Sequence, residues 1–462
     1  MKQKLPSRNI LLLCAGWAMA LPALPVGATT DSDGWVTPRP LGQGLESFRP
    51  ANDADAPARS LPSFEEPTGG LSLRQALALA LLRSPALAAV SYDVRLGEAR
   101  LVQAGLRPNP EVSLEVENVL GTGDYQGMRE AEFTLGLSQL VELGGKRAAR
   151  IHEADRAREL AAWDYEALRL DLVTQTAAAF LDVLGLQQQL LLDEDMLKLA
   201  ETIAETVARR VEAAKALPVE NAKAQLALAS TRVERDQTQR ALMAARLRLA
   251  AAWGSTAPQF THVEGNLEQR PAVPRQELLL ERLRQTPETA RWAAEIAWRE
   301  AGIRLENSKG RQDLTVSGGL RRFHGSDSNA LTFGVSIPWP RYDRNQGGIR
   351  EAKFQLAKAR EEQRAADVRV TNEVAQAWQR LDAANALVSA LKATVLPPAQ
   401  QTFETTERFY REGRLSYLDV LDAQRTYFEV RAQYLRALRD YHEAVVSIER
   451  LIGEPLPAAP QQ

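Results

Sequence analysis

The sequence predicts a mainly helical protein with a transmembrane β part, in which each chain supplies four barrel strands and two very long helices. Three observations predict this fold class. The stretch from Gly145 to Ala216 contains no proline and has the pattern of one helix. The chain repeats its own plan once, at a spacing of roughly 200 residues. Each copy carries two short segments in which apolar and polar residues alternate, as in strands with one wet face.

Residues 1–28 have the pattern of a secretory signal peptide. Three basic residues precede an apolar run from Ile10 to Leu21, and small residues before and at Ala28 suit cleavage after that position. The alternative is an uncleaved anchor, but Pro22 and Pro25 cut the run short of the roughly 20 residues that a span needs. After the signal, residues 29–70 are rich in Pro, Gly, Asp and Ser, which predicts an extended and poorly ordered segment unless it lies on a partner.

Composition excludes several classes of function. The only cysteine, Cys14, lies inside the apolar run, where Leu13 is not the small residue that a lipoprotein signal places before the lipidated cysteine. The processed chain would therefore have no thiol, no disulfide and no cysteine metal site. Its net charge, -2 for the whole chain, becomes mildly more negative without the signal, which argues against a nucleic-acid partner. No later apolar run is long enough for a transmembrane helix, so a membrane role would have to come from strands.

The two copies occupy residues 71–254 and 276–453, with a proline-rich linker at 255–275 and a short tail at 454–462. The same residue types recur in the same order. Thr134, Gly136 and Ser138 recur as Thr332, Gly334 and Ser336, and Ala224-Gln225 recurs as Ala423-Gln424.

Each copy contains two predicted strands, at about 111–118 and 131–140 in the first and 313–322 and 330–338 in the second. In the first strand, Val112, Leu114 and Val116 alternate with polar residues. Such strands fit either a barrel wall with lipid outside and water inside, or a soluble sheet with one wet face. The neighbouring segments are helical rods rather than globular partners, which favours the barrel. Four strands cannot close a barrel and an open edge is not tolerated in lipid, so we expect three chains to share twelve strands.

The long helices, at about 146–216 and 348–413, have clear signals at their ends. Apolar and small residues recur along the first at the spacing of a coiled-coil seam: Leu197, Ala200, Ala204, Val207, Val211 and Ala214. At 1.5 Å per residue this helix would span roughly 105 Å. Leu217-Pro218 ends it, Gly413 ends the second helix, and Ser416 with Asp419 forms a capping-box pattern for the helix that follows. Pro397-Pro398 must kink or break the second rod.

Together these features resemble the TolC-type outer-membrane efflux channels of tripartite export systems. The resemblance covers Leu71 to about Pro455, and its most specific segment is GRLSYLDVLDAQ at 413–424. Three further segments resemble the branch that serves cobalt, zinc and cadmium exporters: LGGKR at 143–147, LPVENAKAQ at 217–225 and YDRNQG at 342–347. Some members carry a lipid on an N-terminal cysteine, and this chain lacks a suitable one.

The resemblance implies a homotrimer in the outer membrane of a Gram-negative cell, continued by a helical tunnel through the periplasm. It implies passive conduction, with a periplasmic adaptor and an inner-membrane RND pump as partners that supply the energy and most of the selection. The far ends of the rods would dock the adaptor, at Leu217, Pro218, Gly413, Arg414, Leu415 and Ser416. Which ion or molecule passes is not decided by the sequence.

Asp419 and Asp422 are the candidate gate residues. They lie three apart, hence on one helix face, and both suit the positive end of the helix dipole, so helix capping alone would explain them. The resemblance assigns them instead to the acidic ring that narrows the periplasmic entrance. Nearby arginines could bridge neighbouring helices in a closed state or simply be solvated: Arg408, Arg411 and Arg414.

Glu115, Glu117 and Glu132 fall on the polar face of the strands, where they would line the lumen and bias it toward cations or simply keep the wall wet. No nucleophile motif, phosphate loop, cofactor motif or metal-ligand spacing is present, so we expect no catalytic, cofactor or metal site. The four histidines are far apart and are expected at the surface: His152, His262, His324 and His442.

Two other classes of protein fit parts of the pattern. A periplasmic coiled-coil adaptor or scaffold also uses long helical hairpins, but it would have one hairpin flanked by soluble β domains rather than two hairpins preceded by alternating strand pairs. An envelope enzyme would need a set of catalytic residues, and no such set is recognisable in the sequence.

Overall fold

The computed structural model describes residues 34–51, 65–283 and 286–457. The predicted signal peptide, including Cys14, lies outside the described residues. The first repeat follows a regular order of elements. Its elements are β1 (Gly69–Ser72), α1 (Leu73–Arg83), α2 (Pro85–Gly105), β2 (Glu111–Glu117), β3 (Glu132–Val141), α3 (Lys146–Glu212) and α4 (Pro218–Ala251).

The second repeat has the same order of helices and strands, preceded by a short strand between the repeats. Its elements are β4 (Phe260–Glu264), α5 (Gln276–Leu283), α6 (Pro287–Lys309), β5 (Leu314–Phe323), β6 (Ser328–Ser336), α7 (Gln346–Ala390), α8 (Leu396–Arg411) and α9 (Tyr417–Ile452). The rod predicted in the first repeat is therefore one helix of 67 residues, about 100 Å long, and ends four residues earlier than expected.

The four predicted strands form one antiparallel sheet in the order β2-β3-β5-β6, so β3 and β5 join the two repeats. The register aligns the alternation of all four strands. One face carries the apolar residues, which are strongly exposed in the single chain, as at Val112 (74%), Leu114 (71%) and Phe333 (84%). The other face carries mainly small and polar residues. It is also crowded, because a Cβ at Gly319 would lie 2.9 Å from the carbonyl oxygen of Leu135.

The second rod differs from the first near its prolines. Helix α7 passes into a π-turn at Leu391–Val395, and α8 begins at Leu396, just before Pro397-Pro398. Glu268, from the segment between the repeats, accepts hydrogen bonds from Lys392 Nζ (2.6 Å) and from the hydroxyl of Tyr434 (2.7 Å). Burial alone would raise the pKa of Glu268, but these two hydrogen bonds and the positive charges of Lys392 and Arg270 together lower it. The predicted interruption of the rod is thus a π-turn held by an ionised side chain.

The segment at 255–275, expected to be a linker, also contributes to the core. Its strand β4 pairs in parallel with β1. Phe260, Val263 and Leu267 are buried in one apolar cluster with the middle of α3 and with α9. Gln187 of α3 anchors β4, because its amide donates to the Val263 carbonyl (3.1 Å) and accepts from the Val263 backbone N–H (2.7 Å). The repeats are therefore joined by a packed layer, which the proline pattern did not predict.

Residues 34–51 form no helix; they run as an irregular segment with a turn at 41–44 and pack on the chain itself. Trp35 is 1% exposed; it meets Tyr165 edge-on, with ring centroids 4.6 Å apart. The guanidinium groups of Arg49 and Arg95 lie 5.1 and 5.7 Å from the Trp35 ring. This part of the N-terminal segment is thus clamped against α2 and α3, although its composition predicted little order.

Among the described residues, no single helix combines the length and apolarity that a membrane span requires. Helices α1 and α2 pass that test only when taken together, and they meet at an angle of 47°.

Candidate functional site

The two long hairpins end in the same turn. In the first, the Ala214 N–H donates to the Val211 carbonyl (3.0 Å) and the Lys215 N–H to the Arg210 carbonyl (2.8 Å). In the second, the Gly413 and Arg414 N–H groups donate to the carbonyls of Tyr410 and Phe409, each at 2.9 Å. We call these the tip turns, residues 213–217 and 412–416.

Ala214 and Gly413 hold equivalent positions in the two tip turns. Both adopt left-handed backbone angles, with φ of +55° at Ala214 and +78° at Gly413. Glycine reaches that region without strain, whereas alanine does not. Each turn satisfies carbonyls at the end of its helix and reverses the chain within a few residues.

A shared apolar cluster holds the ends of the two hairpins together. We call it the tip cluster; its buried members are Ala200, Ile203, Ala204, Val207, Ala224, Leu228, Tyr410, Tyr417 and Val420. Arg210 of α3 donates to the Tyr410 carbonyl (2.9 Å), and its guanidinium carbon lies 4.5 Å from the centre of the Tyr410 ring. The coiled-coil seam predicted on α3 therefore packs both against α4 and against the hairpin of the second repeat.

Asp419 caps α9, as predicted. Its Oδ2 accepts hydrogen bonds from the Ser416 hydroxyl (2.7 Å) and the Ser416 backbone N–H (2.9 Å), while the Asp419 N–H donates to Ser416 Oγ (3.4 Å). The hydrogen bond from the Ser416 hydroxyl, followed by that from its backbone, lowers the pKa of Asp419 from its ordinary value of 3.8. The carboxylate is therefore ionised at neutral pH.

Asp422 is exposed and has neither an ion pair nor a hydrogen bond from its side chain within the described part of the chain. It lines an open groove of about 370 Å³ between α8 and α9, together with Asp419. Apart from Leu415, the rest of the lining is small or hydroxylated: Ala399, Thr402, Thr406, Ala423 and Thr426. The two aspartates thus share one surface, but capping accounts only for Asp419.

The nearby arginines make contacts within their own hairpin. Arg411 pairs with Glu407 one turn earlier, and Arg414 lies 3.7 Å from Glu412. The guanidinium carbons of Arg408 and Arg414 lie 5.3 and 4.7 Å from the centre of the Phe409 ring. Within this chain, the contacts of these arginines stabilise the second tip turn.

The outermost surface of the tips is partly apolar. Leu217 is 64% exposed, and Pro218 occupies the first turn of α4, as predicted. In the second tip turn, Gly413, Arg414 and Ser416 are exposed, and Leu415 is half-buried beside the aspartate groove.

The three glutamates of the strands lie on the polar face, and two of them are directly opposite one another. Glu117 pairs in register with Glu132, and Glu115 with Thr134. Arg321 of β5 bridges the opposed pair, with its Nη2 2.9 Å from Glu117 and its Nη1 2.8 Å from Glu132. Arg321 was not identified from the sequence as a lumen residue. Simple alternation from Thr315 and Ser317 would have placed position 321 on the polar face.

The histidines are far apart, as predicted. His262 and His324 are exposed, whereas His152 contacts Arg304 and His442 Nε2 lies 2.8 Å from the Leu267 carbonyl oxygen. Burial lowers the pKa of His442, so the ring is neutral at neutral pH and donates to that carbonyl. The described residues contain no group of three His, Cys, Asp or Glu side chains placed to hold a metal ion.

A sheet with one exposed apolar face, continued by two packed helical hairpins in which α3 alone is about 100 Å long, defines a class of protein: the outer-membrane efflux channels with a TolC-like fold. Comparison with solved structures shows the same fold. A crystal structure of CusC superposes with a TM-score of 0.72 at 19% identity, covering 88% of this chain and 99% of CusC. The Campylobacter jejuni CmeC outer membrane channel superposes with a TM-score of 0.71 at 14% identity, covering 84% of this chain and 87% of CmeC.

The chain belongs to the outer membrane efflux protein family, whose sequence profile matches residues 76–255 and 275–454. Among its relatives, the cobalt-zinc-cadmium resistance protein CzcC of Cupriavidus metallidurans is 35% identical over 90% of this chain and 98% of CzcC. The fold class, the family and the outer-membrane location that the sequence predicted are thereby confirmed.

Proposed function

We propose that this protein is the outer-membrane channel of a tripartite efflux system and is a passive exit duct for divalent heavy-metal cations such as cobalt, zinc or cadmium. The observation that carries the proposal is the 35% identity to the cobalt-zinc-cadmium resistance protein across almost that protein's whole length. The energy and most of the selection would come from an inner-membrane RND pump joined to the duct by a periplasmic adaptor.

The proposed assembly is a homotrimer. The outer strands of the sheet, β2 and β6, each have one edge without a strand partner among the described residues. In lipid an unpaired edge leaves backbone N–H and C=O groups unsatisfied, at a cost of several kcal/mol per group. Three copies joined edge to edge would give twelve strands, with the exposed apolar face toward lipid and the polar face toward the lumen.

The proposed periplasmic entrance lies at the tips. In a trimer, three copies of Asp419 and Asp422 would surround one axis, and confined carboxylates attract cations. Asp422 supports this role better than Asp419, because the Ser416 cap already explains Asp419.

The proposed adaptor-docking surface is formed by the two tip turns, with Leu217 and Pro218 on one and Gly413 to Ser416 on the other. Leu217 supports this assignment, because it is a large apolar side chain exposed at the far end of a rod. The tip cluster would keep the two turns in a fixed relation while they bind.

The test of the function is metal tolerance in the native host after deletion of the gene. We expect the deletion strain to lose tolerance to cobalt, zinc or cadmium and to regain it with the wild-type gene on a plasmid. Purified wild-type protein in a planar bilayer should form cation-selective channels. A deletion strain with unchanged metal tolerance would contradict the proposed substrate, and a protein that forms no channels would contradict the duct.

A further inference from the structure

The polar face of the sheet carries an unequal number of charges. Glu111, Glu115, Glu117 and Glu132 place four carboxylates on this face of the four strands, and Arg321 places one guanidinium there. If three chains close a barrel as proposed above, the face lines the lumen, and the inference below rests on that proposed function.

Arg321 holds two of these carboxylates. Glu117 and Glu132 are directly opposed across β2 and β3, an arrangement in which like charges repel. The guanidinium contacts one oxygen of each, at 2.9 and 2.8 Å, and its Nε donates to the Thr134 hydroxyl at 2.9 Å. Asn118 donates to the remaining oxygen of Glu132 at 2.8 Å.

The side chains of this cluster remain in contact with water. The exposed fractions are 28% for Arg321, 45% for Glu117 and 19% for Glu132. An ion passing through the lumen would therefore come close to Arg321, Glu117 and Glu132, and the charges of these three side chains would act on it. Fixed carboxylates without a counter-charge bind divalent cations, and a duct that binds its ion firmly releases it slowly.

We propose that Arg321 is a specificity-determining residue of the duct: by pairing with Glu117 and Glu132 it limits the retention of divalent cations in the barrel. Glu111 and Glu115, which have no ion pair within the described residues, keep the face attractive to cations. The guanidinium cancels one of the two negative charges of Glu117 and Glu132 and occupies one oxygen of each, so these carboxylates hold a passing ion less firmly. The arginine thus favours passage over binding.

The adjacent residue provides a matched control. Arg322 lies on the opposite, apolar face and is also ion-paired, to Asp327. R321Q and R322Q therefore make the same chemical change one residue apart, and each removes an arginine from an ion pair. Only R321Q changes the charge of the proposed lumen.

The experiment is a planar-bilayer recording of the wild-type protein and both variants in a KCl gradient, with ZnCl2 added as the divalent probe. We expect R321Q to shift the reversal potential toward the equilibrium potential of the cation. It should also lower the Zn²⁺ concentration for half-block by about tenfold, whereas R322Q should match wild type. R321Q channels with wild-type selectivity and block would overturn the inference while leaving the duct intact.

A second variant makes the test independent of whether R321Q assembles. E117Q/E132Q keeps the arginine and removes the two carboxylates, so the freed guanidinium should weaken cation selectivity and raise the half-blocking Zn²⁺ concentration. Wild-type behaviour of this double variant would also overturn the inference. A wild-type protein that does not conduct would instead contradict the proposed function, and the inference with it.

Discussion

At the scale of single residues, the two tip turns show how one backbone geometry accepts two residue types. The left-handed position is Gly413 in the second repeat and Ala214 in the first. A Cβ at Gly413 would meet no atom within 4 Å, so the difference between the turns at this position is one of backbone strain rather than of space. Strain of this kind costs an L-residue about 1–2 kcal/mol.

Replacing Ala214 with glycine should therefore stabilise the first tip turn. Part of the relieved strain is offset by the greater freedom of glycine in the unfolded chain, which leaves a gain of roughly 0.5 kcal/mol. The reciprocal G413A variant should be less stable than wild type. Thermal unfolding followed by circular dichroism in detergent measures both, and a lower midpoint for A214G than for wild type would contradict the strain argument.

We predict that the two aspartates at the tip have different roles: Asp419 stabilises the fold, and Asp422 acts through its charge. Folding lowers the pKa of Asp419, so its capping contribution is present above the unfolded pKa and is lost as the pH falls through the folded pKa. At neutral pH, D419A should therefore lower the thermal midpoint. D422A should leave the midpoint unchanged, because the described residues offer the Asp422 side chain no partner.

In bilayer recordings, D422A should weaken divalent block from the periplasmic side, and the D419A/D422A double variant should weaken it further. D382A is a suitable control, since Asp382 is an exposed carboxylate on α7 that does not line the tip groove. If the double variant blocks like wild type, Asp419 serves only as a helix cap, Asp422 has no part in the gate, and the gate lies elsewhere.

At the scale of elements, the two hairpins are alike at their ends and different along their length. Helix α3 is continuous, whereas the corresponding rod of the second repeat is divided by the π-turn before Pro397-Pro398. A π-turn thus joins α8 to α7 where a regular α-helix would continue. Glu268 holds this junction through its hydrogen bonds with Lys392 and Tyr434.

The tip turns are predicted to be the element that binds the adaptor. L217D places a charge on an apolar side chain that is 64% exposed, so folding should be preserved while docking is lost. Metal tolerance of cells that carry this variant should fall to the level of the deletion strain, with normal amounts of assembled protein in the outer membrane. Crosslinking to the adaptor should be lost in parallel.

L120D is the control for this prediction. Leu120 is 84% exposed in the loop between β2 and β3, at the end of the molecule opposite the tips, and its positive φ of +57° suits aspartate at least as well as leucine. Cells with L120D should keep their tolerance. Full tolerance and normal crosslinking with L217D would show that the adaptor binds another surface.

At the scale of the whole molecule, the described part of the N-terminal segment is bound to α3 and to the end of α9. The buried pair Glu166–Arg169 receives the backbone of the N-terminal segment: Glu166 accepts from the Arg39 N–H (2.9 Å) and Arg169 donates to the Leu41 carbonyl (3.1 Å). The Leu41 N–H in turn donates to the carbonyl of Gly453, at the end of α9 (3.1 Å). Within the single chain, the described N-terminal segment is thus held by hydrogen bonds to the helices, whereas the edge strands β2 and β6 of the sheet each have one unpaired edge among the described residues.

The open sheet predicts that the stable form is a trimer. Native mass measurement in mild detergent should give three times the mass of the denatured chain, with no stable monomer, because the edges of β2 and β6 need partners in lipid. Denaturation of the same sample gives the reference mass. A monomer that retains a complete and stable sheet in detergent would contradict the proposed architecture.

The features that depend on near neighbours could be predicted from the sequence alone. Alternation along each strand assigned the two faces of the sheet, an unbroken pattern predicted the length of α3, and Ser416 with Asp419 predicted the start of α9. These signals are local, because side-chain direction in a strand and capping at a helix end depend on residues two to four apart.

Which distant segments meet could not be predicted from the sequence and became visible in the folded structure. The pairing of β3 with β5, the burial of Trp35 against Tyr165 and the bridge from Arg321 to the opposed glutamates all join residues more than 100 positions apart. A pattern of residue types indicates that a side chain will be buried or paired, but many partners at that separation would satisfy it equally. The partner is selected by the packing of the whole chain, which no local signal encodes.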